Sequence, residues 1–170
     1  KLHRAMMKKE YLGKIRKDNS WFWDSERKYY LVCTDDLDSL LSCLLILKYR
    51  PNWEIGFFYD YNEGIYQRLD IPEDVNYKDS IFVDCSVPQD GIKCISNHMV
   101  KVKDTDLVNS NDINLNIIDN IHMSDNIYDY HKKYNLNTFL LVCGLLDHKI
   151  EHKAGKVLSL VPDSAFLGYF

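Results

Sequence analysis

The chain has 170 residues, 46% of them apolar, and a formal net charge of −4. This length and apolar content suffice for one globular domain with a core, and no apolar run is long enough to span a bilayer. The acidic balance argues against a broad basic surface for duplex nucleic acid but leaves room for a local basic patch. Because the N-terminus lacks the apolar core of a signal peptide, we expect a soluble, cytoplasmic protein with no membrane segment.

A basic segment opens the chain. Residues 1–17 carry seven Lys or Arg and one Glu, with apolar side chains at loose helical spacing, which predicts an amphipathic helix. The aromatic run at residues 21–23 is typical of a staple that fixes such a helix to a core. We therefore divide the chain into residues 1–23, the basic helix with its staple, and residues 24–170, the main domain. For the helix, packing on the domain and contact with nucleic acid or a protein partner both stay open.

An acidic turn separates the first predicted strand from a predicted helix. The strand covers residues 29–33, the turn contains Asp35, Asp36 and Asp38, and the helix continues to residue 47. Three carboxylates within four residues repel one another, and a cation at the carboxyl edge of a strand would offset that repulsion. The alternative is that an Asp caps the helix by accepting hydrogen bonds from its free backbone N–H groups.

Further apolar runs predict the rest of the fold. We expect strands at residues 54–60, 80–84, 92–98 and, within a polar loop, 115–118. We expect helices at residues 125–133, 137–150 and 151–160, whereas residues 62–70 are ambiguous. Strands that alternate with helices predict an α/β fold with a mostly parallel central sheet flanked by helices.

Acidic and imidazole side chains follow three of these strands. They are Asp36, Asp38, Asp84 and His98. The carboxyl ends of parallel strands meet at one edge of a sheet, so these side chains are expected to lie together. Carboxylates with an imidazole suit Mn²⁺ or Mg²⁺, and two such ions can bind a phosphate, generate hydroxide and stabilise the leaving oxygen. The pattern predicts phosphoester hydrolysis.

Four segments in this order resemble the motifs of the DHH phosphoesterase superfamily. Residues 36–39, Asp-Leu-Asp-Ser, look like its first motif, and residues 81–84, Ile-Phe-Val-Asp, are similar to its second. Residues 95–99 stand where the Asp-His-His signature would be, and residues 144–147, Gly-Leu-Leu-Asp, resemble the fourth motif. The resemblance implies a DHH-like α/β domain over residues 24–170, either complete or part of a longer protein.

The resemblance also implies a ligand set and partners. The implied metal ligands, for Mn²⁺ or Mg²⁺, are Asp36, Asp38, Asp84, His98 and Asp147. The first four would also be catalytic, acting on nucleic acid or a nucleotide phosphate, and a protein partner is a further option. The sequence departs from the family pattern at Thr34, Ser39, Asn97 and Met99, where the family has His or Asp, Gly, Asp and His.

Three functions follow from these motifs. The first is a divergent metal-dependent phosphoesterase or nuclease that hydrolyses nucleic-acid ends or small nucleotides with metal-activated water. The second, favoured by Asn97 and Met99, is a catalytically inactive binding or assembly subunit of a replication or viral complex. The third is a phosphatase of the haloacid-dehalogenase type with Asp36 as the nucleophile, although the later Lys and paired Asp of that class have no clear counterpart.

Overall fold

The computed structural model describes residues 7–123 and 133–162. Its strands are β1 Tyr30–Thr34, β2 Glu54–Asp60, β3 Gly64–Gln67, β4 Ile81–Val83, β5 Lys93–Ile95 and β6 Asp112–Ile113. They form one sheet in the order β3-β2-β1-β4-β5-β6. Neighbouring strands are parallel except β3, which runs antiparallel to β2. The expected mostly parallel α/β sheet is therefore confirmed.

In the part of the chain that the structure describes, five helices and two short 3₁₀ turns accompany the sheet. The helices are α1 Lys9–Asp18, α2 Leu37–Tyr49, α3 Leu115–Ile118, α4 Thr138–Leu145 and α5 Lys153–Leu158, and the 3₁₀ turns are Ser20–Trp23 and Tyr77–Asp79. Helix α2 packs against both β1 and α4, which places the start of each helix near the end of the central strands. Within residues 7–123 and 133–162, none of the helices has the length and apolar character needed to cross a membrane.

The apolar sequence of the central strand, β1, agrees with its burial on both faces of the sheet. Leu31 and Val32 in β1 are fully buried, on opposite faces of the sheet. Leu31 belongs to the larger core cluster with Phe22 and Ile46, whereas Val32 packs in a second cluster with Phe82. A strand that is covered on both faces is expected to be a continuous apolar run, as this one is.

The basic N-terminal helix and its staple pack on the main domain. Ile15 of α1 and Phe22 of the following turn are buried in the larger core cluster. The guanidinium of Arg50, at the end of α2, donates two hydrogen bonds to the Phe22 carbonyl, at 3.2 and 3.1 Å. The ring of Phe22 lies edge-on to Trp53, with centroids 6.1 Å apart. Residues 7–23 thus share one core with the rest of the domain.

Two of the expected elements differ in the structure, and a third cannot be compared with it. The strand expected at residues 115–118 is wrong: a helix, α3, lies there, because the Asn114 side chain caps it by accepting from the Asn116 backbone nitrogen at 2.9 Å. The last strand is instead Asp112–Ile113. The helix expected over residues 137–150 ends at Leu145. The helix expected at residues 125–133 falls almost entirely outside the described residues.

Candidate functional site

The acidic turn after β1 is held by local hydrogen bonds. Asp36 caps α2: its Oδ1 accepts from the Ser39 backbone nitrogen at 2.7 Å, and its Oδ2 accepts from the Thr34 hydroxyl at 3.2 Å. The Ser39 hydroxyl accepts from the Thr34 backbone nitrogen at 2.8 Å and donates to the Val83 carbonyl at 2.8 Å. The turn therefore ties β1 to the start of α2 and to the end of β4, and capping accounts for Asp36.

Asp38 is a cap for a distant helix. Only 2% of its surface is exposed, and its two carboxylate oxygens accept from the backbone nitrogens of Thr138 and Phe139, at 2.7 and 2.8 Å. These are the first N–H groups of α4, which have no partner inside the helix. A carboxylate at this position is stabilised by the positive end of the helix dipole. Both oxygens of Asp38 are therefore engaged by α4.

Asp84 lies next to this cap. It follows β4 with a φ of 60°, in the left-handed region that residues other than glycine rarely adopt. Its side chain is 99% buried, and Oδ1 accepts from the Thr138 hydroxyl at 2.5 Å and pairs with His98 Nε2 at 3.0 Å. The Asp84 backbone nitrogen donates to the Ile95 carbonyl at 2.8 Å, which holds the turn in place. Thr138 thus contacts both buried carboxylates.

Burial raises the pKa of both buried carboxyl groups. For Asp38 the raised pKa comes first from burial and then from the charge of Asp84, against the two backbone N–H groups that favour the ionised form. For Asp84 the raised pKa also comes first from burial, and it is opposed by the hydrogen bond and charge of His98 and by the hydrogen bond from the Thr138 hydroxyl. A helix N-terminus, a hydroxyl and an imidazole thus offset part of the cost of burying these two carboxyl groups.

The structure adds two residues that sequence reasoning missed. Tyr61 comes directly after β2, and about half of its surface, 54%, is exposed. The partial burial of the side chain, together with the nearby Cys85, Asp84 and Asp36, raises its pKa. The rule that side chains after parallel strands share one edge could have identified it. Thr138 follows Asn137, a helix-capping residue at the start of an apolar run, so its place at the N-terminus of α4 could also have been expected.

Asp147 lies at the other end of α4. That helix has eight residues, about 12 Å of length, and Asp38 caps its first turn. Asp147 follows the last turn, exposed, beside Tyr49 and His148. The structure therefore brings Asp36, Asp38, Asp84 and His98 to one edge of the sheet and leaves Asp147 apart from them.

The carboxylate oxygens at this edge, where the sequence suggested a Mn²⁺ or Mg²⁺ site, already accept hydrogen bonds from the chain. Over residues 7–123 and 133–162, no group of three or more His, Cys, Asp or Glu side chains is arranged to hold a metal ion. Both oxygens of Asp38 accept N–H groups, and Oδ1 of Asp84 accepts from Thr138 and His98. An ion at this edge would therefore have to replace contacts that the chain itself makes to these carboxylate oxygens.

Comparison with known proteins adds no family to this picture. A scan against protein-family models matched no family, and searches of curated proteins and of solved structures gave no match. The contacts at the carboxyl edge of the sheet are therefore the basis for assigning a function.

Proposed function

We propose that the chain is a DHH-like domain with a binding or assembly role, in which the acidic motifs hold the fold instead of a catalytic metal pair. The observation that carries this proposal is the double hydrogen bond from α4 to Asp38. Asp38 corresponds to the second Asp of the first DHH-like motif, so a residue expected to bind metal instead caps a helix.

The electrostatics of the turn support the same proposal. The close carboxylates need positive charge nearby, which a cation would ordinarily supply. Here the N-terminus of α4 directs its positive dipole end at Asp38, and His98 pairs with Asp84 at 3.0 Å. A divalent ion that took both Asp38 oxygens would displace two hydrogen bonds to a charged group, each worth about 1.5 to 3 kcal/mol.

The residue before His98 also has a structural role. Asn97 is 7% exposed, and its side-chain amide donates to the Leu136 carbonyl. Its backbone nitrogen donates to the Thr138 hydroxyl at 3.2 Å, and its carbonyl accepts from the Asn116 amide at 2.9 Å. Asn97 stands where the DHH signature has its first Asp, and its contacts hold α3 and α4 in place. These contacts favour a scaffold over a metal ligand.

A second candidate is the metal-dependent phosphoesterase. It is favoured by the meeting of Asp36, Asp84 and His98 at the carboxyl edge of β1, β4 and β5, where open parallel sheets place their ligands. Its substrate would be a nucleic-acid end or a small nucleotide. The dehalogenase-type phosphatase, with Asp36 as the nucleophile, stays a prediction.

One set of assays separates these candidates. The wild type, Asp84→Asn and the exposed-site control Glu73→Gln are incubated with Mn²⁺ or Mg²⁺ and either a single-stranded oligonucleotide or a dinucleotide at pH 7.5. The proposal predicts no release of nucleotide or phosphate by any of the three proteins and no calorimetric binding of either ion. Manganese-dependent release by the wild type and Glu73→Gln that is lost in Asp84→Asn would establish the phosphoesterase. A phosphoaspartate on Asp36 would instead indicate the dehalogenase-type enzyme.

A further inference from the structure

The side of α2 that faces solvent is apolar. It carries four leucines at intervals that place them on one side of the helix: Leu37, Leu40, Leu41 and Leu44. We call these four residues the α2 leucine stripe. About half of the surface of Leu37 and of Leu44, 52%, is exposed, as is 42% of Leu40. Exposed apolar side chains that form one continuous patch are typical of an interaction surface, whereas isolated ones are not.

The inner side of α2 is more polar than this outer side suggests. Asp38, Ser39 and Ser42 are buried against the domain, together with apolar residues of the same helix. An ordinary surface helix does the reverse and keeps its polar residues in solvent, whereas a helix that is apolar all round is usually buried all round. We therefore expect a further surface to cover the α2 leucine stripe.

The two ends of the stripe carry charges of opposite sign. Asp35 and Asp36 are exposed directly before Leu37. Lys48, one helical turn beyond Leu44, is exposed at the other end. The thirteen residues of α2 separate these ends by about 20 Å. A surface with an apolar centre and opposite charges at its ends is complementary to a second copy of itself turned by 180°.

The charges also select the relative direction of two such helices. In an antiparallel pair whose two-fold axis passes between positions 42 and 43, Leu41 lies against Leu44 of the second copy, and Asp35 lies near Lys48 of that copy. The two acidic turns are then about 20 Å apart, beyond the screening length of about 8 Å at physiological salt. In a parallel pair these turns would lie side by side, at a helix spacing of about 8 to 10 Å, and repel.

We propose that the chain forms a two-fold symmetric homodimer through the α2 leucine stripe, with the two α2 helices antiparallel and Lys48 of each copy beside the acidic turn of the other. Such an interface uses the same patch on both copies, so it closes at two chains. One helix face, about 20 by 10 Å, is smaller than the roughly 800 Å² per partner of a standard interface, and we expect a micromolar dissociation constant. This inference gives the proposed assembly role a partner and so rests on that proposal.

Sedimentation equilibrium of the full chain tests the dimer. Between about 1 and 100 µM, the wild type should show a reversible monomer–dimer equilibrium. Leu44→Lys, which places a charge at the centre of the interface, should weaken association at least about 100-fold. Because Leu44 is exposed in a single copy, this variant should keep the circular dichroism spectrum of the wild type. Leu69→Lys, the same change at a fully exposed leucine outside α2, is the control and should leave association unchanged.

Charge reversal tests the direction of the helices. Removal of an exposed ion pair changes affinity little, whereas like charges placed opposite each other in an interface repel. Lys48→Glu should therefore weaken the dimer at least about tenfold. The double variant Asp35→Lys with Lys48→Glu exchanges the two charges and should recover most of the lost affinity. Loss of folding cannot imitate this recovery.

A zero-length cross-link gives a readout specific to position. A carbodiimide joins a lysine amine to a carboxylate in contact with it, so we expect a cross-linked peptide pair that contains Lys48 and Asp35. Within one copy these residues lie at opposite ends of α2, about 20 Å apart, and this cross-link can form only between copies. Its absence at concentrations where the dimer is populated would overturn the antiparallel arrangement.

Two further results would overturn the inference. The first is a wild type that stays monomeric up to about 100 µM. If Leu44→Lys also lowered the stability of that monomer in urea, another part of the same chain would be the cover of the stripe. The second is self-association that Leu44→Lys leaves unchanged, which would place the interface elsewhere.

The proposed function can fail separately from this inference. A dimer together with manganese-dependent hydrolysis would retain the interface and overturn the non-catalytic domain. A monomer without hydrolysis would overturn the interface and retain the non-catalytic domain.

Discussion

The carboxylate of Asp38 accepts a hydrogen bond from the backbone nitrogen of Thr138 at 2.7 Å, across 100 positions of the sequence. This bond and its partner from Phe139 connect the turn after β1 to the first turn of α4. The acidic turn is thereby part of the tertiary structure that brings α4 back to the central strands.

Removal of this cap should destabilise the protein. We expect Asp38→Ala to lower the free energy of unfolding by about 2 kcal/mol, because α4 loses the acceptor of two N–H groups. Asp38→Asn retains one acceptor oxygen and should have a smaller effect. Asp35→Ala, an exposed substitution in the same turn, is the control and should be nearly neutral. Urea unfolding measures all three, and equal effects of Asp38→Ala and Asp35→Ala would contradict the capping role.

Two buried serines of α2 should respond differently to the same substitution. Ser39→Ala leaves the Thr34 N–H and the Val83 carbonyl without their partner and should cost about 1 to 3 kcal/mol. Ser42 is fully buried, and its hydroxyl has no partner among the residues that the structure describes. Ser42→Ala should therefore be neutral or stabilising. Thermal and urea unfolding of both variants measure the difference, and the reverse order would show that the hydroxyl of Ser39 is dispensable.

The stability of the protein should depend on pH through Asp112. Burial raises the pKa of this carboxyl to about 7, from 3.8 in the unfolded chain. Between these two values the unfolded state ionises before the folded state, so the contribution of Asp112 is present at low pH and is lost as the pH rises toward about 7. Asp112→Asn removes this loss.

Urea unfolding from pH 5 to pH 8 measures this dependence. Relative to wild type, Asp112→Asn should gain more than about 1 kcal/mol across this range. Asp106 provides a control that does not titrate in this range, because hydrogen bonds from the backbone nitrogens of Lys103 and Val102 lower its pKa. Both the folded and the unfolded pKa of Asp106 therefore lie below pH 5, and the stability difference between Asp106→Asn and wild type should stay constant from pH 5 to pH 8. A pH-independent difference between Asp112→Asn and wild type would contradict the prediction.

Two glycines should differ when each is replaced by alanine. A Cβ at Gly56, in β2, would lie 2.7 Å from Ile71 Cδ1 and 2.7 Å from the Tyr30 ring, so Gly56→Ala should destabilise the fold by about 1 to 3 kcal/mol. Gly13 lies inside α1, and a Cβ there has no atom within 4 Å. Gly13→Ala should stabilise the protein by up to about 1 kcal/mol, since alanine favours a helix. Melting temperatures of the two variants should shift in opposite directions.

Local sequence patterns predicted the elements better than the contacts between them. The apolar run of β1 and the capping Asp36 were readable, because strand burial and helix capping depend on adjacent residues. The role of Asp38 could not be predicted from local patterns, since its partner at Thr138 is a backbone group 100 positions away. The strand expected at residues 115–118 was wrong because the Asn114 cap, a local hydrogen bond, outweighed the strand propensity of the isoleucines.

The strand order has a consequence for the behaviour of the protein at high concentration. The two outer strands, β3 and β6, have four and two residues, whereas the inner strand β2 has seven. Short outer strands offer few free backbone groups to which a second chain could add a strand. Because both outer strands are short, a second chain could form few hydrogen bonds to either edge of the sheet. We therefore expect concentrated solutions to resist the formation of intermolecular β-structure.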